Sequence, residues 1–452
     1  MNLTDFILEH EAGDTAALLL SRTRWPEIDM EKAVTAIECR KRLRSKLPEW
    51  YAVPGIEYPD RLAAEQCSSS ETASYKASVI SRILGKCRLA DLTGGLGVDS
   101  AAFSKVCKSV LYNEISPARA AAAEKNFKLL GRDNVQVINH TACEDSPIWD
   151  ELKAFSPDII FIDPARRSDT GSKVFLIEEC SPDIIGLMGR MTECCGKILI
   201  KLSPMADIAM AVSRLENAGA KVREVHCVEA GGECKELLIL CDNDWAGDSR
   251  LIVFRDGKSL DISGLEEHTP TYPASDGEMM SMKYIFEPGK ALAKSGAFNA
   301  ICNTPSRFVK AGEHTHLYLS ESEPAGDDEI ISFGKLFRIK EITALDKRSI
   351  ALFGKRYPDS GVSARNIKLT SDELRSRLRS KSGGPTHIFG FRVDFGGKEN
   401  GPARTRNYII AAERIRIIAS RQKDSLLPGG LHDVRNQRLT MIPAVAPMPP
   451  EL

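Results

Sequence analysis

Between a short apolar run and a small-residue helical pattern, the chain reads Leu89-Ala90-Asp91-Leu92-Thr93-Gly94-Gly95-Leu96-Gly97-Val98-Asp99. Three glycines within four positions restrict what can form here. A backbone that turns this sharply and presses against a ligand has no room for a Cβ. A helix starting directly afterwards points unpaired N–H groups back at the turn. The segment therefore reads as strand, glycine-rich loop and helix, the opening of an α/β sheet whose ligands bind at the C-terminal strand ends. The dinucleotide pattern G-x-G-x-x-G would need a glycine at position 100, which is Ser100. No G-x-x-x-x-G-K-[ST] occurs, which argues against a triphosphate loop. A tight strand-to-helix turn without a ligand is the plainer alternative.

Downstream, strand and helix patterns alternate. Candidate strands are Arg88–Asp91, Val110–Glu114, Val135–Asn139, Ile159–Asp163, Lys197–Leu202, Lys221–Val228 and Glu236–Cys241. This order predicts a parallel sheet covered on both faces. The short Ala230-Gly231-Gly232 link predicts a terminal hairpin that adds one antiparallel strand. Upstream, residues 1–85 read as helical, and a helix from Met30 to Leu47 is expected to stop at Pro48. Its run Arg40-Lys41-Arg42-Leu43-Arg44-Ser45-Lys46 fits either binding to phosphates or a solvated face. A serine-capped helix running into Ile83 lies just before the first strand and is placed to form a lid.

At 452 residues several domains are expected. The segmentation is a helical region 1–85, the α/β domain 86–245, a small α+β domain 246–332, a basic α+β domain 333–418 and a loose tail 419–452. The small domain carries strand patterns at Arg250–Phe254 and His316–Ser320 and a helix over Gly289–Ala297. The basic one carries strands at Leu336–Ile342, His387–Val393 and Tyr408–Arg414, and a helix at Ser371–Arg379.

The net charge of −1 hides an asymmetry. Residues 335–416 hold 19 Lys/Arg against 8 Asp/Glu, while the remainder holds 42 against 54. A basic unit on an acidic body points to a polyanion partner, the alternative being a solubilising surface. No stretch of about 18 apolar residues predicts a membrane span. The acidic start lacks a signal pattern, and the 12 cysteines show no C-x-x-C pair. Together these predict a cytoplasmic protein with reduced thiols and no metal site.

Four positions at predicted strand ends carry candidate chemistry. Glu114, 23 residues after Asp91, is placed to accept hydrogen bonds from two ribose hydroxyls. His140 or Thr141 could meet an adenine amino group. Asp163-Pro164-Ala165-Arg166-Arg167 brings a carboxylate and a rigid ring into the cleft, with arginines suited to a phosphate or a stacked base. Lys201, ending the fifth strand, would point into the same cleft, where a Lys/Asp pair can organise proton transfer.

The glycine loop resembles that of class I S-adenosylmethionine (SAM) methyltransferases, D-x-x-x-G-x-G. The Asp163-Pro164 element resembles the D-P-P-[YF] or N-P-P-[YF] of methyltransferases acting on exocyclic base nitrogens, with Ala165 and Arg166 in place of the second proline and the aromatic. It is also close to the D-P-P-R of base-carbon RNA methyltransferases, but the cysteine nucleophile those use is not in this loop. With Lys46-Leu47-Pro48-Glu49-Trp50, Glu65-Gln66-Cys67-Ser68-Ser69, Gly232-Glu233-Cys234-Lys235-Glu236 and Val362-Ser363-Ala364-Arg365-Asn366, the chain resembles, to about residue 416, a bacterial family of class I methyltransferases ending in a THUMP-like domain.

The resemblance implies an α/β fold. A Rossmann-like methyltransferase sheet follows a helical N-terminal region and precedes ferredoxin-like and THUMP-like α+β domains. SAM would be held by Asp91, Thr93, Gly94, Gly95, Gly97, Asp99, Glu114 and Thr141. Asp163, Pro164, Arg166 and Lys201 would serve catalysis, and Arg365, Asn366 and Lys368 would bind RNA. The implied activity is direct methyl transfer, with an RNA base nitrogen favoured. Methylation of protein or a small molecule, or RNA binding by a relic methyltransferase fold, are the alternatives.

Overall fold

The structure is a computed structural model; it describes residues 1–166, 177–265, 269–396, 404–418 and 440–443. The chain divides into two compact units, one comprising Met1–Ala230 with Lys235–Leu251 and the other Gly231–Cys234 with Ile252–Leu452.

The first unit opens with six helices: α1 (Leu3–His10), α2 (Thr15–Leu20), α3 (Met30–Leu43), α4 (Pro48–Tyr51), α5 (Arg61–Gln66) and α6 (Ser70–Leu84). Asp29, Asp60 and Ser69 cap α3, α5 and α6, each accepting a backbone N–H of the first turn. The alternating region follows as β1 (Arg88–Asp91), α7 (Val98–Phe103), β2 (Ser109–Asn113), α8 (Pro117–Leu129), β3 (Val135–Ile138), α9 (Ile148–Phe155) and β4 (Ile159–Ile162). The two-residue strands β5 (Ala165–Arg166) and β6 (Cys180–Ser181) pair with each other. After them come α10 (Ile184–Cys194), β7 (Lys197–Leu202), α11 (Ile208–Asn217), β8 (Val222–Ala230) and β9 (Glu233–Asp242).

These strands run in the order β8-β9-β7-β4-β1-β2-β3. The pairs from β7 to β3 are parallel, and β9 joins β7 antiparallel, so the terminal hairpin forms as expected. Strand β4, Ile159-Ile160-Phe161-Ile162, is buried at every position, as a central parallel strand with both faces covered must be. The order reverses at β1, so the ends of β1, β2 and β4 open onto one crevice.

The N-terminal helices are part of this core. Phe6, Ile37, Leu43, Leu47 and Trp50 form one buried cluster with Leu96, Val98, Tyr112 and Phe127. Two expectations change accordingly, and a third divides. Helix α3 ends at Leu43, and Pro48 instead begins α4, where its missing N–H costs nothing. The basic run divides: Lys41, Arg42 and Arg44 are exposed, as the solvated-face reading expects, whereas Arg40 turns inward. Arg40 is buried and donates to Glu11 at 3.1 Å and the Tyr51 carbonyl at 3.1 Å; Lys41 bonds the Gly13 carbonyl, and Arg42 pairs with Glu65 at 2.6 Å. Helix α6 buries Tyr75, Lys76, Val79 and Ile80, so it is a fixed wall rather than a lid.

The second unit contains the hairpin strand β11 (Lys258–Asp261), which pairs antiparallel with β10 (Arg250–Arg255). Then follow α12 (Asp276–Ser281), β12 (Tyr284–Pro288), α13 (Lys290–Lys294), β13 (Val309–Gly312), β14 (Thr315–Ser320), β15 (Gly334–Ala344), α14 (Lys347–Arg356), β16 (Asp359–Arg365), α15 (Ser371–Leu378), β17 (Lys381–Asp394), β18 (Thr405–Ile418) and β19 (Thr440–Pro443). The strands run β13-β14-β12-β15-β18-β17-β16, so segments 284–320 and 334–418 build one sheet. Its pairs are antiparallel except β16 with β17. Ile350 and Phe353 of α14 and Leu374 and Leu378 of α15 pack on Ile388 and Ile409 of the sheet. Part of the expected loose tail is ordered, since β19 pairs with Ile415–Ile418; residues 419–439 and 444–452 lie outside the described residues. The helix expected over Gly289–Ala297 is only the five residues of α13.

Because α3 shares the core of the sheet, Ile37→Ala is expected to lower the stability of the first unit by about 2–5 kcal/mol. Urea unfolding followed through the tryptophans checks this. An unchanged midpoint would mean that the helices form a separate body.

Candidate functional site

A cavity of about 660 Å³ opens at the C-terminal ends of β1, β2, β4 and β7. Its walls hold Asp91, Thr93, Gly94, Gly95, Asp99, Glu114, Thr141, Asp163, Pro164 and Lys201, so the structure gathers ten of the sequence-derived site residues around one space.

The loop side is built from β1. Asp91 is buried and accepts hydrogen bonds from the Thr93 backbone N–H at 3.0 Å and the Ser100 hydroxyl at 2.6 Å. Burial outweighs those donors and pushes its carboxyl up to about 7. Ser100, which reads in sequence only as a missing glycine, thus fixes the loop aspartate. A Cβ on Gly94 would fall 2.0 Å from the Tyr112 ring, and one on Gly97, at φ +90°, would fall 2.8 Å from Phe127. The glycines are therefore demanded by the aromatic floor beneath the loop as well as by any ligand above it. Tyr112 also donates its hydroxyl to the Gly95 carbonyl at 2.6 Å.

Glu114 lies just past β2, as the sequence places it, but its carboxylate is already engaged. One oxygen accepts the Gly95 N–H at 2.8 Å and the other the Ser116 N–H at 2.9 Å. Each oxygen keeps a second lone pair, so bonds from ligand hydroxyls would add to these. His140 and Thr141 both line the cavity, and the His140 carbonyl and N–H are held by the Asn113 side chain.

The opposite side is ionic. The Asp163 N–H donates to the Thr93 hydroxyl at 2.6 Å, tying the loop after β4 to the glycine loop. Lys201 donates to Asp163 Oδ2 at 2.5 Å and sits 4.0 Å from Glu236. Burial opposes the charged lysine, but Asp163, Glu236 and Asp99 outweigh it and hold the ammonium above the usual lysine range. Pro164 and Ala165 line the mouth. Arg166 belongs by its backbone to β5, its side chain is outside the described set, and Arg167 lies outside the described residues.

Sequence reasoning misses a second tier. Lys76 of α6 is fully buried, donates to both Glu236 oxygens at 2.8 and 2.9 Å and to the Ser68 hydroxyl at 3.1 Å, and forms an ion pair with Asp99 at 3.2 Å. Ser68 in turn donates to Asp99 at 2.8 Å. Cys67 also lines the cavity, and burial raises its thiol above the ordinary range. The run Glu65-Gln66-Cys67-Ser68-Ser69 is legible in the sequence, but nothing in spacing links Lys76 to a residue 160 positions later.

Arg365, Asn366 and Lys368 belong to the second unit and are not among the cavity walls. Arg365 pairs with Glu287 at 2.9 Å, Asn366 meets Thr315, and Lys368 is exposed. Exposed Lys347, Arg348, Lys355, Arg377 and Arg379 lie on or beside α14 and α15. Among the described residues no helix is long and apolar enough to cross a membrane, and no His/Cys/Asp/Glu group could hold a metal ion.

A family model described as a ferredoxin-like domain matches residues 284–325. Proteins of two Mycobacterium tuberculosis strains, named uncharacterized SAM-dependent methyltransferases, are 23% identical over 363 residues, 79% of this chain and 91% of theirs. A Porphyromonas gingivalis W83 crystal structure, provisionally named a methyltransferase, is 28% identical with a TM-score of 0.75, covering 91% of this chain and 97% of its own. The chain thus has a Rossmann-like methyltransferase fold joined to a ferredoxin-like region, and over most of its length its homologues are named SAM-dependent methyltransferases.

A raised Asp91 binds more protons folded than unfolded between about pH 4 and 7, so it makes the unliganded protein less stable as pH rises through that window. Asp91→Asn is expected to flatten this decline. Urea midpoints at about pH 4.5 and 7.5, either end of that window, check it; an equal decline in both proteins contradicts the assignment.

Proposed function

We propose that this protein transfers a methyl group from SAM to a base nitrogen of RNA. The observation that carries the reading is Asp163-Pro164, held at the end of β4 across one cavity from the glycine loop. The cavity is within the usual size for a small-molecule site of about 300–1,000 Å³. The cofactor fits the residues present: Gly94 and Gly95 line the cavity with bare backbone, and Glu114 faces the loop with lone pairs to spare.

SAM supplies an electrophilic methyl group on a sulfonium. Asp91, Thr93, Gly94, Gly95, Gly97 and Asp99 would hold its methionine end, with Glu114 on the ribose and Thr141 near the adenine. Asp163 would accept an N–H of the acceptor amine and aim the nitrogen at the methyl group; as the N–C bond formed the S–C bond would break, leaving S-adenosylhomocysteine, and the nitrogen would shed its proton to solvent. Lys201, bonded to the other carboxylate oxygen, fixes the direction of the first. Catalysis is then chiefly alignment. Pro164 gives the acceptor plane a rigid apolar edge, and Arg166 belongs to this side of the reading. A base in a duplex would have to be flipped out to reach Asp163.

The alternative of carbon methylation through a thiolate gains a candidate in Cys67 but loses its chemistry, because burial keeps that thiol protonated. RNA is favoured over protein or a small molecule by the basic helices α14 and α15, together with Arg365, Asn366 and Lys368.

Nucleoside mass spectrometry on RNA from cells with and without the protein tests the acceptor. One N-methylated base is expected to vanish, and that RNA to accept tritium from labelled SAM. Label entering only protein or small molecules contradicts the reading. Asp163→Ala, which removes the accepting oxygen, should cut turnover by about 10²-fold or more while SAM affinity changes little, by calorimetry. Replacing Lys368, Arg377 and Arg379 by Ala should weaken RNA binding and lower its salt slope by about 0.7 for each phosphate no longer neutralised. An unchanged slope would place the RNA elsewhere.

A further inference from the structure

We infer that Lys76 is a positioning residue for methyl transfer, which keeps Lys201 on Asp163 by occupying Glu236. This rests on the reading of Asp163 as the group that orients the acceptor. Lys201 lies between two carboxylates, 2.5 Å from Asp163 and 4.0 Å from Glu236. An ammonium in a poorly solvated site moves toward whichever anion lacks a partner, because an unpaired buried charge is the costliest arrangement available. Glu236 does not compete, since Lys76 bonds both its oxygens. Lys76 has no solvent exposure and is aimed into the network by a helix that is itself part of the core.

The same ammonium reaches Asp99 at 3.2 Å and Ser68 at 3.1 Å. One cation from the N-terminal helices thus joins the start of α7, on the loop side, to Glu236 and Lys201, on the acceptor side. Without it Glu236 would draw Lys201 away, and Asp163 would lose the partner that fixes which oxygen faces the acceptor.

The arrangement makes a charge-compensation test available. In crystal structures of Lys76→Met, Lys201 Nζ is expected to leave Asp163 and approach Glu236. In Lys76→Met with Glu236→Gln the nearer competing charge is gone, Asp99 still accepts from Ser68, and Nζ is expected to stay on Asp163. Turnover on RNA from cells lacking the protein, at saturating SAM, should fall about tenfold or more in the single variant and recover in the double variant. A merely structural role predicts the reverse, a double variant no better than the single. If Lys76→Met does not fold, Lys76→Gln, which still donates to Glu236 without a charge, carries the same expectation. Lys201 remaining on Asp163 in the uncharged single variants, or no recovery in the double variant, overturns the inference. A wild-type protein that binds no SAM by calorimetry overturns the functional reading instead, and the positions of Lys201 in the variant structures still decide this one.

Discussion

An ammonium buried among carboxylates is tolerable only where the chain surrounds it with partners, and Lys76 meets that condition through residues far apart in sequence. Ser68, Asp99 and Glu236 must all arrive before its charge is compensated. Removing one partner of such a cluster typically costs about 3–5 kcal/mol, so the cluster specifies a single arrangement of helix, loop and terminal strand. Its neighbours on α6 act in the same direction. Tyr75 meets His226 at 2.8 Å, and Arg82 pairs with Glu224, both on β8. The helix before the sheet is thereby bolted to the β8–β9 hairpin.

That closure gives the site its division of labour. The loop side is shaped by sterics, with Tyr112 and Phe127 beneath glycines that cannot be replaced by larger residues. The acceptor side is shaped by charge, with Asp163, Lys201 and Glu236 held in sequence. The Thr93 hydroxyl, accepting the Asp163 N–H, joins the two, so movement of one loop is felt by the other.

Much of the sheet is legible in the chain because buried parallel strands read as short apolar runs and glycine loops have few structural uses. Strands Arg88–Asp91 and Lys197–Leu202 match the expected bounds, and the terminal hairpin follows from the Gly231-Gly232 link. The failures have a common physical origin. Arg40, Lys76 and Glu236 look like surface charges in sequence, and only tertiary bonds spanning up to 160 residues show that they are interior. The expectation of a lid at α6 fails for the same reason: its polar residues face carboxylates in the core. Pro48 is not the stop of α3, which ends at Leu43, because a proline serves equally well as the first residue of the next helix.

At the centre of this account, the glycine loop and Asp163 address one SAM molecule from opposite sides. A crystal structure with S-adenosylhomocysteine bound tests it most directly. The ribose hydroxyls are expected on Glu114, the adenine near Thr141 and the sulfur turned toward Asp163. A ligand bound with its sulfur directed away from Asp163, or outside this cavity, would contradict it.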